Sequence, residues 1–434
     1  FLDGYDLSVI SVFTLVLVTY KIFRYTAFTE SFVTGSALLG AFVGAVLFGH
    51  YADRIGRRYL YIFDLIFFAI FAILTALATN IYEMIAFRFF VGLGVGADYA
   101  LSPVYTTEMY PNRQRGGGYG WGWTFWSLGV DPLTGWRWTL GLGAIPAIIV
   151  VVMRMKMPES IRWKAADKSV SEQEIRDVAD SIGIKKEEMD SILAERNRES
   201  RIRSGSLRSL FKGEYGKRTL IVWIQWILYD IAGYGIGLYS PLILKELGVV
   251  GSYTLLYSFV FYMPIGFMGA FGAVMLNDRV GRRPLQILGF GSMALAMLLF
   301  FFAASGRGQI FLAIGILAFI IDYALGNLGP GNTMGLYAIE LLPTKLRSSS
   351  MGSATGITRI VSFLSAFLFP YLSKSTVLGK EGFFFVLFVV MLLALFFTIF
   401  FTPETKGLSL EEITVAKYRH EGWKPVLALD DSKK

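Results

Sequence analysis

The chain has 434 residues, of which 54% are hydrophobic, 16% aromatic and only 17% charged, with a formal net charge of +8. That balance excludes an ordinary soluble domain. With no cysteine and only His50 and His420, it also excludes disulfides, thiolate metal sites and a spaced histidine cluster.

Apolar runs of about 20 residues, enough to cross ~30 Å of hydrocarbon, recur along almost the whole length. Lipid satisfies no backbone polar group, so these runs must be helices. In chain order the spans are predicted near 1–20, 31–52, 59–79, 82–106, 116–130, 137–157, 219–245, 252–276, 285–303, 309–335, 348–374 and 380–402. Between the sixth and seventh lies a polar stretch, Pro158 to Lys217. Within it Val170 to Arg198 has helical spacing, and Ser171 with Glu174 forms a possible capping box. The predicted units are therefore a six-helix bundle over 1–157, a linker over 158–217, a second bundle over 218–402 and a tail over 403–434.

The positive charge sits between spans, on alternate sides. Arg54, Arg57 and Arg58, then Arg113 and Arg115, then Arg154 to Arg218, then Arg279, Arg282 and Arg283, then Lys345 and Arg347 all occupy every second loop. This positive-inside pattern places those loops, the linker and the tail in the cytoplasm. Basic residues that flank spans do not form a nucleic-acid-binding face. The lipid bilayer is the expected partner, in the plasma membrane, and a monomer is expected.

An ionisable group inside a span costs roughly 2.5–3.5 kcal/mol at the helix centre, so each needs a reason. The candidates are Asp3, Asp6, Arg88, Asp98, Asp230, Asp322 and Arg359. Trp226, Asp230 and Tyr234 are spaced by four and share one helix face. Gly92, Gly94 and Gly96 follow no strand, so close helix packing explains them better than a nucleotide loop. Gly326, Gly329, Pro330 and Gly331 point to a kink or to packing. Spacing suits no Ser/His/Asp set, catalytic carboxylate pair or metal site, so neither an enzyme nor a cofactor is expected.

Three pairs of segments recur in the same order, a sign of duplicated halves. Asp53-Arg54-Ile55-Gly56-Arg57-Arg58 returns as Asp278-Arg279-Val280-Gly281-Arg282-Arg283. Glu108 to Pro111 with Arg115 returns as Glu340 to Pro343 with Arg347, and Pro158-Glu159-Ser160 returns as Pro403-Glu404-Thr405.

On these motifs, with Gly49 to Arg58, Arg88 to Pro111 and Pro158 to Trp163, the chain resembles the major facilitator superfamily over nearly its whole length. The branch is that of sugar porters and phosphate/proton symporters. The resemblance implies an all-α membrane protein with twelve transmembrane helices in two pseudo-symmetric bundles. It also implies a charge latch of Asp53, Arg54, Gly56, Arg57, Arg58, Glu108, Arg115, Glu159 and Arg162 with Asp278, Arg279, Arg282, Glu340, Arg347 and Glu404. Ion pairs of ~0–1 kcal/mol each bias one state without locking it.

By the same resemblance Asp6 and Arg88 form a proton-coupling pair, joined by Asp3, Asp98 and Asp230. Asp98, Tyr99, Trp226, Asp230, Tyr234, Asn332 and Arg359 are the expected substrate contacts. The implied activity is proton-coupled import of a small anion, with inorganic phosphate as the first expectation. Alternatives are sugar/proton symport, organic-anion transport, a uniporter and a non-transporting nutrient sensor. Tyr119 stands where the phosphate carriers have a glutamine, and Asn332 is one residue out of register with them. Ile231 to Tyr234 replaces the amide run of sugar porters, with Gln225 the nearest amide.

Overall fold

A computed structural model describes residues 26–109, 160–166, 170–181, 207–237, 263–373, 379–408 and 410–415. Shorter pieces are 148, 150–152, 154–155, 189–190, 192–193, 417–418 and 425–426. The predicted spans 1–20 and 116–130 lie outside these residues, and only part of 137–157 lies within them.

Helix α1 (Ala27–Ile55) starts at a capping box, Thr26 and Thr29 each accepting the other's backbone N–H. It stops at Gly56, whose φ of 108° lies where a side chain would be strained. Helix α2 (Arg57–Leu77) begins on the next residue, and α3 (Ile81–Met109) returns beside both. Helix α1 packs on α3 through glycines. A Cβ on Gly92 would sit 2.7 Å from Ala37 Cα, and one on Gly96 equally close to Ala41 Cα. The predicted packing role of these glycines is what the backbone requires.

The linker contributes α4 (Ile161–Ala166) and α5 (Glu172–Ser181). Ser171 Oγ accepts the Glu174 N–H at 3.2 Å, as the capping pattern predicts. The Glu174 carboxylate takes Lys164 at 2.5 Å. Ala165, Ile175, Met189 and Ile192 bury one another beneath these helices.

The second half runs through α6 (Glu214–Gly237), α7 (Met263–Leu276), α8 (Arg282–Ala304), α9 (Gln309–Leu328), α10 (Pro330–Glu340), α11 (Arg347–Ser373) and α12 (Gly379–Phe401). Its core includes Trp226, Phe290, Met297, Phe300, Tyr337 and Met391. The predicted span 309–335 is two helices. Gly329 breaks it and Pro330 opens α10 at its first turn, where a missing N–H costs nothing. Gly329 also abuts Gly289, so the kink and the close packing coexist. A short α13 (Leu410–Val415) and a two-residue antiparallel pairing of β1 (Lys417–Tyr418) with β2 (Pro425–Val426) close the described chain.

Outward faces are apolar, with Leu47, Phe63, Ile70, Leu393 and Phe400 all exposed. Six of the described helical spans are long and apolar enough to cross a membrane. Two helices of opposite halves, α1 and α11, meet directly, where a Cβ on Gly49 would lie 2.9 Å from Gly352 Cα.

Gly96→Leu should therefore force α1 from α3 and lower the unfolding temperature of purified protein, a cost of about 1–3 kcal/mol or more. Gly291→Ala, whose new Cβ would meet only Leu395 at 3.9 Å, should be neutral or stabilising. A stable Gly96→Leu variant would contradict the packing assignment.

Candidate functional site

The deepest meeting of the halves is built around Arg359 of α11. Its Nη2 lies 3.5 Å from Asp230 Oδ2 on α6, with both side chains almost fully buried. Its Nη1 donates to the Tyr234 hydroxyl, and its guanidinium lies 4.8 Å from the Tyr234 ring centroid and 5.0 Å from that of Tyr99. Tyr99 comes from α3 of the first half, so one cation spans the seam between bundles. Ser362 Oγ donates to Asp230 Oδ2 at 2.8 Å and Ser365 Oγ to the Ile231 carbonyl at 2.7 Å, fixing α6 against α11. Arg359 Nε is buried and has no hydrogen-bond partner among the described residues. A donor so placed is costly to leave empty, which suits an incoming acceptor.

Tyr99, Asp230, Tyr234 and Arg359 thus come together. Trp226 does not join them: it is buried in the second-half core, one turn before Asp230. Asn332 is also elsewhere, its Oδ1 accepting Asn277 Nδ2 at 3.2 Å within the second bundle. Gln225, the amide nearest a sugar porter's run, bonds Gln286 at 3.0 Å and also Thr402. These three are structural polar or apolar contacts inside one bundle.

Asp98 is the largest departure. Its Oδ1 accepts Arg154 Nη2 at 2.9 Å, and Arg154 Nη1 lies 3.3 Å from Asp64 on α2, with the guanidinium carbon 3.3 Å from the Tyr61 ring centroid. Successive helical side chains point about 100° apart, so Tyr99 faces the seam while Asp98 turns into its own bundle. No described contact joins Asp98 to Asp230. Arg88 is fully buried on α3, one turn before Gly92, and its expected partner Asp6, like Asp3, lies outside the described residues.

At the motif end the first-half copy joins the two halves. Asp53 pairs with Arg57 at 3.3 Å, and its two carboxylate oxygens accept the backbone N–H groups of Ser348 at 3.1 Å and Ser349 at 2.7 Å. A first-half carboxylate thus caps the first turn of the second-half α11, where the helix end favours negative charge. Arg57 reinforces the join by donating to the Thr344 carbonyl at 3.1 Å. Helix α4, which carries the buried Arg162, packs on the turn Thr344–Leu346.

The second-half copy holds partners of its own bundle among the described residues. Arg282 Nη2 reaches Asp278 at 3.0 Å and Glu340 at 3.1 Å, while Glu404 accepts the N–H groups of Arg282 and Arg283 at 3.1 Å each. Gly281, with φ 114°, leaves room that a Cβ would take from Glu404 Oε2 at 2.5 Å. Arg58 and Arg283 are true counterparts, donating to the Met155 carbonyl at 2.9 Å and the Ile399 carbonyl at 2.6 Å. Arg347 folds back on Ile339 and Thr344. Arg54 and Arg279 are exposed. The side chain of Glu108, and all of Arg115 and Glu159, lie outside the described residues.

The family model described as sugar (and other) transporter matches residues 1–416. The chain belongs to this sugar transporter family. Members of it are transporters and not enzymes. This transporter is 30% identical to the glucose transporter GlcP of Staphylococcus epidermidis, covering 95% of the chain and 93% of the relative. It is 29% identical to the arabinose-proton symporter of Bacillus subtilis, covering 95% and 91%. It superposes on the proton:xylose symporter XylE bound to 6-bromo-6-deoxy-D-glucose with a TM-score of 0.83, at 23% identity and 95% coverage of each chain. The TM-score with inward-open XylE from E. coli is 0.66. The fold is therefore the major facilitator fold, as the duplicated motifs imply. Phosphate, the first expectation for the substrate, finds no support in these relatives, whose names speak of sugars.

These contacts yield two measurements on this cysteine-free transporter. With spin labels on Arg54→Cys and Lys345→Cys, Asp53→Asn should add a longer distance component, whereas Glu404→Gln, which acts inside one bundle, should leave the distribution unchanged. Identical distributions in all three proteins would refute the cross-half cap. Arg154→Gln should lower thermal stability by about 3–5 kcal/mol, because it leaves the buried Asp64 and the half-buried Asp98 without their cation.

Proposed function

We propose that the chain is a proton-coupled symporter that moves a small polyhydroxylated substrate of the sugar class by alternating access. The observation that carries this reading is the Arg359 cluster at the seam. A carboxylate 3.5 Å from the guanidinium offsets its charge, so the site is close to neutral and suits hydroxyl groups better than a free anion. Arg359 Nε is a donor for a substrate oxygen, and the Asp230 carboxylate is an acceptor for a hydroxyl. The Tyr99 and Tyr234 rings offer apolar faces for a sugar's C–H surface. The named activities of GlcP and of the arabinose-proton symporter support the same class.

In this reading the motif loops, the linker over 158–217 and the tail over 403–434 face the cytoplasm of a plasma-membrane protein acting as a single chain. The Asp53 cap then closes the cytoplasmic side while the site is loaded from outside. Opening inward requires α11 to leave Asp53 and α1, so rocking of the halves exposes the same site to the other face. An organic acid would have to displace Asp230 from Arg359 before binding.

Uptake of labelled glucose, arabinose, xylose and gluconate into proteoliposomes under an acid-outside gradient tests the proposal. One neutral sugar should accumulate against its gradient, and gluconate should not. Asp230→Asn and Arg359→Gln should each lower the initial rate roughly tenfold or more, the loss of contacts worth at least about 1.4 kcal/mol. Uptake of gluconate alone, or uptake indifferent to the pH gradient, would overturn it.

A further inference from the structure

Asp322 is the buried acid that the Arg359 site leaves unused. It lies on α9, is 7% exposed, and its Oδ1 has no hydrogen-bond partner among the described residues. Among the described residues, the titratable groups that feel its charge are the hydroxyls of Tyr229 on α6 and Tyr323 on α9 itself. Helices α7, α8 and α10 pack against α9. Helix α7 carries no ionisable side chain over Met263–Leu276, and α8 has only Arg282 and Arg283, both in its first turn. Those arginines are already engaged by Asp278, Glu340 and the Ile399 carbonyl. Helix α10 offers Tyr337, bonded to the Pro403 carbonyl, and Glu340, bonded to Arg282.

Every other buried carboxylate described in the two bundles has a cation at hand. Asp53 has Arg57, Asp64 has Arg154, Asp230 has Arg359 and Glu340 has Arg282. An uncompensated charge in so dry a place is expensive, and the neutral acid is the inexpensive form. The surroundings are also poised to change. Asp322 precedes the Gly329–Pro330 break by two turns, and the Tyr229 hydroxyl lies 2.8 Å from where a Gly331 Cβ would sit. Tyr229 adjoins Asp230 in the chain, so movement at the substrate cluster bears directly on the helix break below Asp322.

We propose that Asp322 is a proton-carrying group of the second half, neutral while its pocket is closed and ionised when the pocket hydrates. The carboxyl takes its proton from water on one side and returns it to water on the other, with no other bond made or broken. The assignment rests on the reading of the chain as a proton-coupled transporter. It adds an acid without an arginine to the pairs that motif resemblance suggested.

The test uses the full chain in proteoliposomes, with Asp322→Asn, Asp322→Glu and wild type compared in two ways. Infrared difference spectra between acid and alkaline buffer should show a protonated-carboxyl C=O band in wild type that Asp322→Asn lacks, a readout that needs no substrate. In uptake of labelled glucose, arabinose and xylose, Asp322→Asn should lose gradient-driven accumulation yet keep exchange of the same sugar, and Asp322→Glu should restore accumulation with a displaced pH profile. An unchanged infrared band overturns the proposal, as does undiminished accumulation. Joint loss of exchange and accumulation in a folded Asp322→Asn also overturns it, by assigning Asp322 to substrate binding. Should wild type accumulate no sugar, the transport reading fails and the infrared band alone decides the fate of Asp322. Should Asp322→Asn fail to insert, the pH profile of Asp322→Glu decides, and a profile identical to wild type counts against the assignment.

Discussion

Helix α11 belongs to the second half by sequence and to both halves by contact. Its first turn is capped by Asp53, its backbone touches α1 at Gly352 against Gly49, and its Arg359 lies between Asp230 of its own bundle and Tyr99 of the other. A single rigid element therefore links the closure at one end of the seam to the charge at its centre. If α11 shifts, the Asp53 cap and the Arg359–Tyr99 contact must both change. Two-state rocking needs elements of this kind, since packed interfaces switch between arrangements more readily than they deform.

The pairing of buried charges explains why such an element is tolerable in lipid. Guanidinium groups at Arg57, Arg154, Arg282 and Arg359 each meet a carboxylate within 3.5 Å, and all four also donate to a backbone carbonyl or a tyrosine hydroxyl inside the protein. A buried pair contributes little net stability, yet removing one partner is severe. The pairs therefore act less as glue than as constraints on which arrangements the bundles can adopt. Duplication supplied the same motif to both halves. The first-half copy reaches across the seam through Asp53 and Arg57, and the second holds Glu340 and Glu404 of its own bundle.

Much of this was legible in the sequence because it is periodic or repeated. Helix limits such as Arg57–Leu77 and Gly379–Phe401 fall within two residues of the predicted spans 59–79 and 380–402, since lipid forces apolar runs to be helices. The doubled Asp-Arg-x-Gly-Arg-Arg motif points to two duplicated halves, and spacing of four puts Asp230 and Tyr234 on one face. Facing was harder. Asp98 and Tyr99 are neighbours in sequence, and nothing local says which one looks across the seam. Arg154, the cation that claims Asp98, is 56 residues away and in the sequence is one of many basic residues at a span end. Asn332 and Trp226 lie inside the second bundle for the same reason: residue type and register in a motif do not report which neighbouring helix fills the space beside them. The substrate class followed motif resemblance toward phosphate, and the Asp230 carboxylate beside Arg359 argues against that choice on simple charge balance.

The most direct test of the account is a double-mutant cycle on thermal unfolding of the purified protein at Asp230 and Arg359. Asp230→Asn and Arg359→Gln should each lower the unfolding temperature markedly, and the double variant should recover most of the loss because it removes both buried charges together. Additive losses in the double variant would mean that the two groups do not compensate one another, and the proposed centre of the seam would be wrong.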